Sequence, residues 1–281
     1  MEDCASRTSL GTIVTRLNYI APMAERARYH AFNSARDVIK RDRRRIRIEN
    51  ARLLERAPTL AREGFELVSH TTGISDLSSQ EELAHLYPRE IERLVKDVTG
   101  ADQVIVSGRG VLRFSQPTTQ VPARLHVLRP ARFIHMDVSE STAADLMERW
   151  LPTVGGRSIR RCAHYNVWRV LTPPPQDVPL ALCDALSVCA SDLVDVDSIA
   201  DPPGEPESSL VVVMVRYNPE HRWWYFPDMT PDEVLIFKSH DSDPEQPQRV
   251  PHSAFRNPGC PPGVAPRASI DIRTMAFWFT D

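Results

Sequence analysis

The hydrophobic rhythm of the chain changes near residue 130. Before it, apolar positions read as helices with short strands between them. Asn33 to Leu60 is dense in charge and carries its apolar residues at Val38, Ile46, Ile48, Leu53 and Leu54. From Ser79 to about Val98 the stripe Leu83, Leu86, Ile91, Leu94 and Val95 has helical spacing. Ser79 suits the N-cap, Glu81 and Glu82 the first turn, and Gly100 the stop. Pro88 inside the stripe predicts a kink or a division in two. Gln103 to Ser107 reads as a strand.

Beyond residue 130 the runs are short, β-branched and aromatic: Arg160–Leu171, Leu182–Val188, Leu210–Tyr217, Trp223–Phe226, Glu233–Phe237 and Ser269–Phe279. One helix, Ser139 to Trp150, interrupts them early. Proline explains the spacing, since it lacks the N–H that a sheet ladder needs and is confined to edges and turns. Of 24 prolines, 18 follow residue 150, concentrated at Pro173–Pro175, Asp201–Gly204, Asp243–Pro251 and Pro258–Pro266. Short strands punctuated in this way predict a β-sandwich or barrel.

Composition narrows the function classes. The 281 residues are 42% hydrophobic and 25% charged, which excludes a largely disordered, collagen-like or disulfide-scaffold chain. A net charge of −3 gives no general attraction to nucleic acid. Arginine supplies nearly all the positive charge, since only Lys40, Lys96 and Lys238 are lysines. The run Lys40-Arg41-Asp42-Arg43-Arg44-Arg45 reads best as a solvated face, with acids following at Glu49, Glu55 and Glu63. No stretch has the roughly 20 apolar residues of a membrane span, and no signal-type apolar region opens the chain. Five scattered cysteines (Cys4, Cys162, Cys183, Cys189, Cys260) without a CxxC pair predict reduced thiols and a cytoplasmic protein.

The sharpest local chemistry is Phe133-Ile134-His135-Met136-Asp137. In a strand His135 and Asp137 share a face, offering an imidazole and a carboxylate together. These are two members of a 2-His-1-carboxylate set, which holds Fe(II) and leaves coordination positions open. The third ligand is best supplied by His252, 115 residues after Asp137, with His164 and His240 as competitors. Arg267 and Ser269 follow on one strand face, and an Arg fork beside a hydroxyl suits the distal carboxylate of 2-oxoglutarate. That face continues through Asp271 and Arg273 to Met275, Phe277 and Phe279. The competing reading makes Arg267 a surface residue and pairs Arg273 with Asp271.

Longer motifs then come into play: Asn166-Val167-Trp168-Arg169, Pro179 to Asp184, Tyr217 to Trp223, Tyr225 to Val234, Pro251 to Phe255, and Pro266-Arg267 with Ser269-Ile270. With Arg16 to Tyr19 and Gly64 to Val68, these resemble the hydroxylase/desaturase family of fungal secondary metabolism across nearly the whole chain. The resemblance implies a mainly β fold with flanking helices around a double-stranded β-helix, a cupin-like jelly roll. It implies Fe(II), 2-oxoglutarate and O2, with hydroxylation or desaturation of a polyketide, terpenoid or similar small molecule.

On this reading residues 1–281 form one oxygenase domain, with a helical part over 1–102 packed on a jelly-roll core over 103–281. Asn166 and Arg169 become candidates for the 2-oxoglutarate carboxylates, against the alternatives of a satisfied sheet amide and a structural ion pair. Trp224 and Arg273 become candidates for substrate contact. The rival readings are an iron oxidase that does not use 2-oxoglutarate, a non-catalytic jelly-roll partner protein, and a zinc hydrolase, which Arg-x-Ser after the last His fits poorly. Substrate is expected to be a small molecule, not nucleic acid or membrane.

Overall fold

The structure is a computed structural model describing residues 11–75, 79, 81–117 and 128–280. Cys4 lies outside them. Strand alternation, not helical spacing, organises the N-terminal part. It holds β1 (Thr12–Ile20), β2 (Arg28–His30), β3 (Arg41–Asn50) and β4 (Phe65–Ser69). On β3 Ile46, Ile48 and Asn50 are buried while Arg45 and Arg47 are exposed, a period of two that keeps charge on one face. The helical part expected over 1–102 is therefore corrected: β1–β3 extend one sheet and β4 joins the other, so a boundary at 102/103 separates no layer.

The predicted helix over 79–98 does form, in two pieces. The Ser79 hydroxyl accepts from the Glu82 N–H at 3.2 Å. A π-helical turn, Glu82–Leu86, leads directly into α1 (Tyr87–Thr99), and Pro88, which can donate no N–H, sits where the ladder changes from π to α spacing. Gly100 ends it in the left-handed region. Next come β5 (Gln103–Phe114), the two-residue β6 (His135–Met136) and α2 (Glu140–Trp150), which is capped by Ser139.

The rest is β: β7 (Ile159–Val170), β8 (Leu180–Cys183), β9 (Leu193–Ala200), β10 (Ser208–Val215), β11 (Trp223–Tyr225), β12 (Glu233–Asp241), β13 (His252–Ala254) and β14 (Ala268–Phe279). The proline-rich stretches fall between these strands, as proline chemistry requires. A nine-stranded sheet runs β1-β3-β11-β8-β13-β6-β10-β9-β2, and a five-stranded sheet runs β4-β12-β7-β14-β5. The two curl together as a jelly roll. Trp168, Leu180, Leu182, Phe226, Phe237 and Val250 form one core cluster drawn from both sheets. On the outer face of the smaller sheet, Tyr87, Ile91 and Val95 of α1 pack with Tyr165, Val167, Ile236, Ile270 and Ile272.

One irregularity borders the interior. Against β14, edge strand β5 jumps from Val111, opposite Asp271, to Ser107, opposite Arg273. Two extra β5 residues are accommodated there, with Gly108 at a φ of 78°. On its other side β14 stays in unbroken register with β7 at these positions.

Gly64 is a tighter constraint. It sits at a φ of 87°, and an added Cβ would lie 2.7 Å from Cγ2 of Val250. Gly64→Ala is expected to destabilise the fold by about 1–3 kcal/mol, read as a lowered midpoint in urea unfolding with an unchanged slope.

Candidate metal centre

His135 and His252 face each other as a cross-strand pair of β6 and β13, with ring centroids 4.3 Å apart. Asp137 follows two residues after His135 on the same side, while Met136 between them is buried in the opposite cluster. The Nε2 atom of His135 lies 3.8 Å from Asp137 Oδ1, and that of His252 lies 3.5 Å from Oδ2. The three side chains bring one donor atom each within 4.8 Å of one another. His164 and His240 stand elsewhere: their rings are 5.7 Å apart, and His240 Nε2 lies 3.1 Å from Glu140.

Both histidines have the same support. His135 Nδ1 is 3.1 Å from the Phe133 carbonyl, and His252 Nδ1 is 3.1 Å from the Val250 carbonyl. A carbonyl only accepts, so each Nδ1 carries the proton and each Nε2 lone pair points inward. Burial, then the neighbouring His252, pull the His135 imidazole down to about 3. Burial also lowers His252. Both rings are neutral, the form that binds metal. Asp137 goes the other way. Burial favours its protonated form, but Arg273, with the Asn166 amide, outweighs that and holds it ionised, well below the usual carboxylate range. Arg273 donates to Oδ1 at 2.7 Å, and Asn166 donates a short bond to Oδ2. Asn166 is itself held by the Ser239 hydroxyl at 3.1 Å.

A cavity joins this centre to Arg267, with Trp168, Phe237 and Asp271 among its walls. Arg267 is 1% exposed, and among the described residues its Nε and Nη1 have no hydrogen-bond partner; nor has the buried Ser269 Oγ. Burial and the neighbouring Arg113 push the Arg267 guanidinium down to about 9, so it is still cationic at neutral pH. Its backbone N–H donates to Asp177 at 2.9 Å. A buried cation beside an idle hydroxyl has the donor chemistry for a carboxylate. A second cleft of about 550 Å³ opens on His135, Asp137 and Arg273, with Tyr29, Phe133, Leu146 and Val212 in its walls.

The other sequence candidates separate. Arg273 lines both spaces, but its partner is Asp137, and Asp271 pairs instead with Arg113 at 2.6 Å. Asn166 orients Asp137. Arg169 is corrected: three residues from Asn166 on one strand, it lies on the opposite face, over the Tyr87 ring, and donates to the carbonyls of His70 and Pro231. Trp224 does not line either space; it is half-buried against the Trp168 and Leu182 cluster, while Trp223 and Tyr225 pack on the other face. Arg113, which lines both spaces, escaped the sequence reading because no motif surrounds it.

A jelly roll with two inward imidazoles and one carboxylate defines the class of non-haem iron oxygenases. The comparisons agree. A family described as "Oxidoreductase/YMDC permease-like domain" matches residues 17–277. The hydroxylase/desaturase CTB9 of Cercospora beticola is 31% identical, covering 85% of this chain and 78% of its own length. The hydroxylase/desaturase efuI of Hormonema carpetanum is 29% identical over 95% of each. Among solved structures, the iron and alpha-ketoglutarate-dependent endoperoxidase NvfI superposes with a TM-score of 0.81 at 24% identity, covering 97% of this chain and 99% of its own. The chain belongs to this oxidoreductase family and to the hydroxylase/desaturase family of these fungal relatives.

Asn166→Ala is expected to weaken Fe(II) or Co(II) binding about 10- to 100-fold in an anaerobic titration, because Asp137 loses its orienting donor. Arg169→Ala is expected to cost about 2–4 kcal/mol of stability, through its orphaned carbonyls, while leaving the 2-oxoglutarate requirement unchanged.

Proposed function

We propose that this chain is an Fe(II)- and 2-oxoglutarate-dependent oxygenase that hydroxylates or desaturates a small-molecule metabolite. The observation that carries the reading is the pairing, across one cavity, of the His135, Asp137 and His252 cluster with the partnerless donors of Arg267 and Ser269. One end has the donors for a divalent cation, the other the donors for a carboxylate. Relatives named for this chemistry support it: a Fe(II)/2-oxoglutarate-dependent dioxygenase, nvfI, of Aspergillus novofumigatus is 30% identical over 68% of this chain.

His135, Asp137 and His252 would hold the iron, and Arg267 with Ser269 would hold the distal carboxylate of 2-oxoglutarate. When bound, iron and 2-oxoglutarate together supply the power to remove hydrogen from an unactivated carbon, with O2 as oxidant and succinate and CO2 as co-products. The protein's own work is positional. Phe133 and Val250 carbonyls fix the tautomers, so neither histidine competes for a proton. Asn166 and Arg273 fix the Asp137 carboxylate. The Phe237 ring, 4.7 Å from His252, closes one side of the centre against water. Substrate would enter the cleft bounded by Tyr29, Phe133 and Leu146, beside His135 and Asp137.

On the same reading the whole chain acts as one catalytic domain in the cytoplasm. Cys162, Cys183, Cys189 and Cys260 are free thiols, which suits a reducing compartment. No helix among the described residues is long and apolar enough to cross a membrane.

His135→Ala, Asp137→Ala and His252→Ala are each expected to abolish iron-dependent succinate formation. Arg267→Ala is expected to raise the 2-oxoglutarate concentration for half-maximal turnover about 100-fold, the loss typical of truncating a buried charge partner. An unchanged requirement would remove Arg267 from the site.

A further inference from the structure

The basic run at 40–45 has a use that the metal centre does not explain. On β3, Arg43 and Arg45 point to one side and Arg44 to the other, where it pairs with Asp42 at 2.8 Å and lies over the Tyr217 ring. Arg43 and Arg45 enter a groove of about 910 Å³ together with Arg16, Arg132 and Arg256. All five are exposed, and none has an acidic partner among the described residues. The acid in the groove wall, Asp177, is already engaged by the Arg267 N–H at 2.9 Å and the Ser115 hydroxyl at 2.8 Å.

The placement costs stability. Arg16 lies directly opposite Arg45 in the β1–β3 register, and like charges at such a pair repel. In a chain of net charge −3, five unpaired guanidiniums in one concavity concentrate a positive potential. Guanidinium forks match phosphate oxygens bidentately. The groove also neighbours the metal-facing cleft through shared walls. Ser115, Gln116 and Arg132 line both the groove and a neighbouring hollow, and Tyr29, Ala131 and Phe133 line both that hollow and the cleft on His135.

We propose that this groove binds the phosphate groups of a phosphate-bearing small molecule. Phosphate binding there does not rest on the oxygenase reading above. Arg43 and Arg45 grip phosphate oxygens with Arg16 and Arg256 flanking them, and the anion relieves the Arg16–Arg45 repulsion.

The test is calorimetric titration of the full chain with coenzyme A and, separately, with inorganic pyrophosphate. Both are expected to bind with dissociation constants below about 1 mM, and the tighter of the two distinguishes a nucleotide ester from a free phosphate as the occupant. Binding is expected to weaken at least about tenfold in Arg43→Glu/Arg45→Glu, to strengthen at low salt, and to be unchanged in Arg93→Glu on the exposed face of α1, away from the groove. Arg43→Gln/Arg45→Gln gives the same readout should charge reversal impair folding. Absence of binding by either at about 1 mM, or binding that survives both double variants, would overturn the groove. None of these outcomes depends on turnover, so a failed groove and a failed oxygenase reading are distinguishable.

Discussion

An ionised carboxylate in the interior constrains this molecule more than any other group. Asp137 is 7% exposed, and an uncompensated charge at that depth would cost several kcal/mol. Its compensation comes across the interior from the smaller sheet. Asn166 of β7 and Arg273 of β14 donate to it, while the neutral rings of His135 and His252, on β6 and β13 of the larger sheet, stand beside it. Ser239 of β12 steadies Asn166 in turn. The closure of the jelly roll and the solvation of one aspartate are thus the same event. The larger sheet alone could not keep that carboxylate charged.

The other end of the cavity has the opposite imbalance. Arg267 is more deeply buried than Asp137, but among the described residues its Nε and Nη1 have no hydrogen-bond partner, and the neighbouring Arg113 cation opposes it. The folded protein therefore carries one satisfied anion and one unsatisfied cation in a shared space. A dication beside the first and a carboxylate beside the second complete both. The preference is built into the fold before either arrives, which is electrostatic preorganisation in the ordinary sense.

How much of this could be read from the chain depended on period. His135 and Asp137 were legible because two residues on a strand share a face, and Arg267 with Ser269 for the same reason. Arg169 failed by that same rule, since three residues from Asn166 means the opposite face. Trp224 lay in the strand as expected, but its neighbours, not its chemistry, decided that it packs in the core. The N-terminal strands were obscured by arginine: on β3 the alternation of Ile46 and Ile48 is brief, and charge on both sides of it hides the period. His252 needed its surrounding motif, because a three-residue strand carries no pattern of its own. Arg113 carried no signal, since its role comes from strand pairing over a distance of 158 residues to Asp271.

The two extra residues in β5 divide the molecule by evolutionary freedom. They are absorbed on the edge side of β14, whereas the β7 side, which carries Asn166 and Trp168, keeps its register. Val111 and Arg113, just past the irregularity, line the cleft that opens on His135 and Asp137. Length changes in β5 can therefore reshape that wall while Asn166 on β7 keeps its place beside Asp137. A single scaffold built this way can diversify what it oxidises without relearning how.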